Sequence, residues 1–153
     1  MDEPNPLLGT WKLAAIRAIY ADGTVDAAAY GPAPVGYITY TAEGHMMVMF
    51  AQGDRPPLRG NPNSPFDLAA VPAAELAQAF SSFSAYAGTY TLAGDTVTHH
   101  VAIASIPDRV GLDLVRRVVL ADHQLILQTP PLPQNPDSTQ FELIWERVTR
   151  CLA

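Results

Sequence analysis

The fold is decided by positions 86–105, which read YAGTYTLAGDTVTHHVAIAS. Threonines alternate with larger apolar or aromatic residues before and after the central Gly94-Asp95 pair, and this period of two indicates two β-strands. The Gly-Asp pair itself is a two-residue connection typical of a tight antiparallel hairpin. Because that turn sets the register, Tyr90 is expected opposite His99 on the apolar, inward face of the hairpin.

The same alternation extends the hairpin into a longer β protein. Eight strands are predicted, at about 8–20, 35–42, 45–51, 86–93, 96–105, 112–121, 124–129 and 139–148. One helix is predicted between the third and fourth of these strands. It begins near Pro72, a residue suited to a first helical turn, and its apolar face is expected to carry Leu76, Phe80 and Phe83.

Connection lengths predict how these strands are arranged. Short turns are expected at Glu43-Gly44, Gly94-Asp95 and Asp122-His123, and they alternate with long, proline-rich connections. In an up-and-down meander, alternate connections lie at opposite ends of the sheet. We therefore expect an all-β fold, an eight-stranded antiparallel up-and-down β-barrel with one closed end and one loop-lined mouth. The length suits a single domain over residues 1–153.

Composition excludes several classes of partner. The net charge is −6 and the nine basic residues are scattered, so no cationic stripe is available for nucleic acid. No apolar run approaches a membrane span, and the opening Met-Asp-Glu-Pro lacks the basic start and apolar core of a signal peptide. We expect a cytoplasmic protein with no membrane partner. The lone Cys151 is expected to form neither a disulfide nor a structural zinc site.

Strand alternation also places side chains inside the barrel. The candidate ligand contacts are Arg17, Tyr37, Val101, Leu114, Arg116, Phe141 and Trp145. Of these, Tyr37 lies on a predicted strand that is apolar on both faces. At the closed end Trp11 is expected near Arg147, so that the guanidinium stacks on the indole and forms a structural base for the barrel.

Several segments together resemble a known family. They are LLGTWKL at 7–13, GYITYT at 36–41 with Gly44-His45-Met46, GTY at 88–90, TVTHHV at 96–101 and WER at 145–147. Over residues 7–149 the chain resembles the microbial lipocalin-like domain family of calycin-type β-barrels. This resemblance implies a barrel fold rather than a reaction, although some lipocalin-like barrels in natural-product pathways act as cyclases or isomerases. The paired cysteines common in extracellular animal lipocalins are missing.

Three polar residues are the chemical candidates. His99 and Tyr90 are the candidate catalytic pair, because a histidine exchanges protons near neutral pH and a phenol stabilises a developing oxyanion. The alternative is that the two residues only hydrogen-bond each other as buried polar groups. Arg116 requires an anion if it lies inside an apolar barrel, and the ligand, an internal acid or water at the mouth would each serve. Asp54-Arg55 and Asp108-Arg109 are interpreted as ion pairs in two loops at the mouth, and such pairs contribute little where they are exposed.

The sequence predicts neither a metal nor a cofactor. Adjacent residues His99 and His100 face opposite sides of a strand and cannot bind one ion together. No glycine-rich phosphate loop or nucleophile elbow is present in the sequence.

Three functions fit the sequence. The leading hypothesis is that the barrel binds a small, mainly hydrophobic molecule. The alternative is a cyclase or isomerase of secondary, polyketide-like metabolism that uses the same pocket. The third is a packed barrel that serves as an interaction module, for which a cavity well below about 300 Å³ is expected. The apolar faces at 35–42 and 45–51 also predict a homodimer.

Overall fold

The computed structural model describes residues 4–130 and 139–149. The described strands are β1 Gly9–Ile19, β2 Val25–Asp26, β3 Val35–Tyr40, β4 His45–Ala51, β5 Phe83–Ala93, β6 Thr96–Ala104, β7 Asp113–Ala121, β8 Gln124–Gln128 and β9 Gln140–Arg147. An α-helix, α1, spans Ala73–Ser81, and a single 3₁₀ turn spans Pro107–Arg109. No helix in the described part of the chain is long and apolar enough to cross a bilayer.

The sheet closes on itself. From β3 onward each strand pairs antiparallel with the next, β1 pairs with β3, and β9 returns to pair with β1. The closure gives both edge strands a hydrogen-bonding partner. Strand β2 is only two residues long and pairs with the end of β1 inside the first long loop. The predicted eight-stranded up-and-down barrel, with its helix between the third and fourth long strands, is confirmed.

The connections separate the two ends of the barrel as predicted. Gly94-Asp95 and Asp122-His123 are two-residue turns, because Ala93 pairs with Thr96 and Ala121 pairs with Gln124. The predicted two-residue turn at Glu43-Gly44 is wrong. The Thr41 N–H donates to the His45 carbonyl over 2.9 Å, which leaves a three-residue loop ending in a glycine with φ of +87°. This loop still reverses the chain at the same closed end.

The closed end is built on Trp11 and Arg147. The Arg147 guanidinium lies 4.0 Å above the centre of the Trp11 ring, as the sequence predicts. It also donates to the carbonyl oxygens of Pro6 and Leu8, each over 2.8 Å. The Trp11 indole donates to the carbonyl of Leu7, whose side chain is fully buried. Residues 6–8 therefore run across the base of the barrel and cover it.

Two β-bulges reverse the inward and outward alternation. In β1 the pairing with β9 skips Ala14, so Ile16 points inward while Arg17 points outward. Arg17 was predicted inside; it instead pairs with Glu142 on the outer surface over 2.7 Å. In β6 the pairing with β5 skips Ala102, and Ile103 is consequently 67% exposed.

An exposed apolar row runs along the outer face of β3 and β4. Its members are Val35, Tyr37, Met47 and Met49, each about half exposed. Tyr37 was predicted as a ligand contact, and the structure corrects this. Its neighbours Gly36 and Ile38 are the buried positions of β3, so the tyrosine lies outside the barrel. The predicted homodimer would depend on this row and stays a prediction.

Replacing Gly88 with alanine tests the bulge between β5 and β6. A Cβ atom at this position would lie 1.9 Å from the His100 carbonyl oxygen, so the backbone must shift to admit it. We expect Gly88→Ala to lower the free energy of unfolding by about 1–3 kcal/mol in urea denaturation. The exposed neighbour Thr89→Ala is the control and should change it by less than about 0.5 kcal/mol. Equal midpoints for both variants would contradict the close approach.

Replacing Arg147 with methionine tests the base of the barrel. The variant keeps much of the aliphatic packing but loses the stacked cation and two charge-assisted hydrogen bonds. We expect a loss of about 2–3 kcal/mol in the free energy of unfolding. Arg117→Met removes an exposed arginine whose ion pair spans 3.7 Å, and it should cost less than about 1 kcal/mol. A similar loss in both variants would show that the Trp11 contact contributes little.

Candidate functional site

A cavity of about 310 Å³ lies inside the barrel towards the mouth and is partly open to solvent. Five strands contribute aliphatic side chains to its wall: Ile16, Ile38, Val48, Leu127 and Leu143. The mouth loops add Tyr30, Ile106 and Thr129. The wall is therefore mainly apolar, and its volume lies at the lower end of the range of small-molecule sites, about 300–1,000 Å³.

The helix α1 ends at the edge of this cavity. Phe80, near its C-terminus, is half exposed and lines the cavity. Phe83 also lines it, although it belongs to β5 rather than to the predicted helix face. Arg55 donates to the Ala79 carbonyl over 3.1 Å, and the Tyr30 hydroxyl donates to the Ser81 carbonyl over 2.9 Å. These bonds supply partners for carbonyls of the last helical turn and fasten the helix end at the mouth.

His99 lies beneath the cavity wall, hydrogen-bonded on both sides. Its Nε2 atom is 2.7 Å from the Tyr40 hydroxyl, and its Nδ1 atom is 2.7 Å from the Tyr86 hydroxyl. The imidazole is almost completely buried, and this burial lowers its pKa to about 3, with smaller lowering effects from Arg116 and His100. His99 is therefore neutral at physiological pH. It reaches the cavity only through Tyr86, which lines the wall.

Tyr90 does not form the predicted catalytic pair with His99. The two residues are opposite each other in the β5–β6 pairing, as the hairpin register predicts. The Tyr90 hydroxyl, however, donates to the Thr41 carbonyl over 2.9 Å and accepts from the Asn5 amide over 2.8 Å, at the closed end of the barrel. Tyr90 thus closes the base, and Tyr40 and Tyr86 are the partners of His99. Strand alternation already put Tyr86 on the same face as Tyr90, which was the available signal.

The candidate ligand contacts divide into three groups. Arg116, Phe141 and Trp145 line the cavity. Val101 and Leu114 belong to the core or pack against it, without lining the cavity. Arg17 and Tyr37 lie on the outer surface. His100 also faces outward and lies 2.7 Å from Asp113, so His99 and His100 are on opposite sides of the strand, as predicted.

Two arginines, Arg109 and Arg116, line the cavity together. The Arg109 guanidinium carbon lies 5.4 Å from the centre of the Tyr86 ring. Burial lowers the pKa of Arg116, and the positive charge of Arg109 contributes to that lowering. The predicted ion pair of Asp108 with Arg109 is not among the ion pairs of the described residues; Arg109 lies at the mouth, as expected, but lines the cavity. Arg109 lies in a short turn, where no residue periodicity predicts which way a side chain points. The sequence therefore did not identify it as a residue of the cavity wall.

The cavity arginines have no acidic partner in the described part of the chain. No aspartate or glutamate from residues 4–130 or 139–149 lines the cavity. The ion pairs among the described residues join other side chains: Arg17 with Glu142, Arg59 with Glu75, Arg117 with Asp95, and His100 with Asp113.

A closed antiparallel barrel with an apolar cavity at a loop-lined mouth defines a lipocalin-like β-barrel protein. A family model described as a lipocalin-like domain matches residues 8–148, and the chain belongs to this family. Among solved structures, it is similar to a lipocalin-like protein from Bacteroides uniformis. The sequence identity is 14%, the match covers 93% of this chain and 98% of that one, and the TM-score is 0.46. No curated protein matches the chain.

The burial of neutral His99 makes stability depend on pH. An unfolded histidine takes up a proton below about pH 6.5, whereas folded His99 does so only near pH 3. Between these values the unfolded state binds more protons, so the contribution to stability is lost as the pH falls from 6.5 towards 3. From pH 6 to pH 5 this group should lower the free energy of unfolding by roughly 1.2 kcal/mol.

Urea denaturation of the wild type and His99→Gln at pH 7, 6 and 5 measures this contribution. Glutamine does not titrate, so the difference in free energy of unfolding between the two proteins should shrink as the pH falls. Differences that are the same at all three pH values would contradict a histidine held neutral by burial.

Proposed function

We propose that the barrel binds a small, mainly hydrophobic molecule non-covalently in the cavity at its mouth. The observation that carries this proposal is the cavity itself, with its volume of about 310 Å³ and its largely apolar wall. Transfer of an apolar ligand from water into such a cavity is favourable by about 25 cal/mol per Å² of buried apolar surface, before the entropic cost of association. The volume also argues against a barrel that is packed throughout and serves only as an interaction module.

An unpaired donor in the wall supports a ligand that carries a polar atom. Trp145 is fully buried and lines the cavity, yet its indole Nε1–H has no hydrogen-bond partner among the described residues. A buried donor without a partner costs about 1–3 kcal/mol. Because this nitrogen has less than 1 Å² of accessible surface, an acceptor atom on a bound molecule recovers that energy only where the wall shifts to admit it.

The geometry favours binding over the cyclase or isomerase alternative. Such a reaction by proton transfer requires a titrating group that touches the ligand. His99 lies behind the wall with both nitrogens engaged by tyrosines, and Tyr90 is bonded at the closed end. Tyr86 does line the cavity, but burial raises the pKa of its phenol and keeps it protonated, so no described side chain of the wall offers a base. Binding is therefore the function that we propose.

Titration with N-phenyl-1-naphthylamine tests the proposal, because this neutral fluorophore emits more strongly in apolar surroundings. We expect saturable binding with a stoichiometry near one. Ser84 lines the cavity, so Ser84→Trp should fill it and weaken binding at least about tenfold. The adjacent Ala85 pairs with the outward-facing Met49, and Ala85→Trp is the matched control.

Two outcomes of this titration would contradict the proposed function. One is the absence of saturable binding to the folded wild type. The other is an equal loss of affinity in Ser84→Trp and Ala85→Trp, since the probe would then bind outside the cavity. Circular dichroism melts of both variants show whether each barrel is folded.

A further inference from the structure

The hydrogen bonds of Tyr40, His99 and Tyr86 have a defined direction. A neutral imidazole has one donor nitrogen and one acceptor nitrogen. Since His99 is bonded to a tyrosine hydroxyl on each side, one tyrosine donates to the ring and the other accepts from it. Which tyrosine does which depends on where the remaining hydroxyl proton finds an acceptor.

Burial of Tyr40 determines that direction. Tyr40 is 1% exposed, and the described residues give its hydroxyl no partner other than His99. If Tyr40 accepted from Nε2, its own proton would be buried without an acceptor. Tyr40 therefore donates to Nε2, and the Nδ1–H of His99 donates to the Tyr86 oxygen. The proton of Tyr86 is left for the cavity that this residue lines.

The surroundings of this free hydroxyl are positively charged. Arg116 and Arg109 line the same cavity, and both act on Tyr86. Burial raises the pKa of the Tyr86 phenol, while the charges of Arg116 and then Arg109 oppose that rise. Two guanidinium groups close together repel each other, and partial burial deprives them of water. An anion from outside the protein would relieve both costs.

We propose that Tyr86, Arg116 and Arg109 form a subsite for a carboxylate, which anchors an amphipathic ligand by its acidic group. The inference rests on the proposed function, because the apolar part of the ligand would occupy the rest of the cavity. Arg116 and Arg109 supply charge-assisted hydrogen bonds, and the Tyr86 hydroxyl donates a third. The His99 bond positions that hydroxyl, since its oxygen already accepts from Nδ1.

Competition between two eight-carbon compounds tests the subsite. Octanoate and 1-octanol differ in the carboxylate, and each is titrated against bound N-phenyl-1-naphthylamine. We expect octanoate to displace the probe from the wild type at a concentration at least about tenfold lower than octanol. Equal displacement by the acid and the alcohol would overturn the subsite. Because the neutral probe binds independently of the carboxylate, that result would leave the proposed function standing.

Substitutions in the cavity show which residues produce the preference for octanoate over octanol. Arg116→Gln should raise the octanoate concentration needed for half displacement at least about tenfold, and Arg109→Gln and Tyr86→Phe by about three- to tenfold. The quantity compared is the ratio of the octanoate to the octanol concentration at half displacement, because a change in probe affinity affects both competitors alike. Circular dichroism melts show whether each variant is folded.

Arg117→Gln is the matched control for Arg116→Gln. Arg117 is the next residue on β7, points outward and faces Asp95 over 3.7 Å, so its replacement changes the net charge equally. Octanoate displacement from Arg117→Gln should match the wild type. Equal losses in the two variants would assign the octanoate preference to overall charge and overturn the subsite. If Arg116→Gln fails to fold, the comparison of octanoate with octanol on the wild type still tests whether the carboxylate subsite exists.

Discussion

The pairing of β9 with β1 is the interaction on which the interior of this protein depends. Without it the chain would be a curled sheet with two exposed edges, and the inward side chains would have no opposite wall. The pairing also brings Arg147 over Trp11 and so builds the closed end. Closure of the backbone and closure of the base therefore rest on the same two strands.

Inside the barrel, polar groups are arranged so that most of their hydrogen bonds are made within the wall. Tyr90 bonds backbone and amide at the base, while His99 joins Tyr40 to Tyr86 in the middle. Two buried nitrogens lack a partner among the described residues: the Trp145 indole Nε1, in a side chain that lines the cavity, and Arg17 Nε, on the outer face of the barrel. In the cavity, Arg116 donates to the Val115 carbonyl over 2.9 Å, but neither Arg116 nor Arg109 has an acidic partner there. The cavity therefore holds one of these two unpartnered donors, together with two cations that have no acidic partner in its wall.

Much of the fold was predictable because strand alternation and turn chemistry are local signals. The eight long strands lie within about three residues of their predicted bounds, and the hairpin register places Tyr90 opposite His99. Arg17 was misplaced because a single extra residue, Ala14, reverses the alternation, and an alanine carries no mark of a bulge. The direction of the Tyr90 hydroxyl was not predictable either, because it depends on Asn5 and Thr41, which are distant in sequence. Arg109 lies in a turn, where residue periodicity does not predict which way a side chain points.

The N-terminal residues that cover the base close the interior of the barrel at one end. Leu7 is fully buried there, and the cavity opens at the opposite, loop-lined end. A ligand therefore enters and leaves through this mouth. A kinetic barrier at the mouth, such as the hydrogen-bonded end of α1, lowers the association and dissociation rate constants by the same factor. The equilibrium occupancy of the cavity is then unchanged. Residence time and affinity can consequently be altered independently, the first at the rim and the second in the wall.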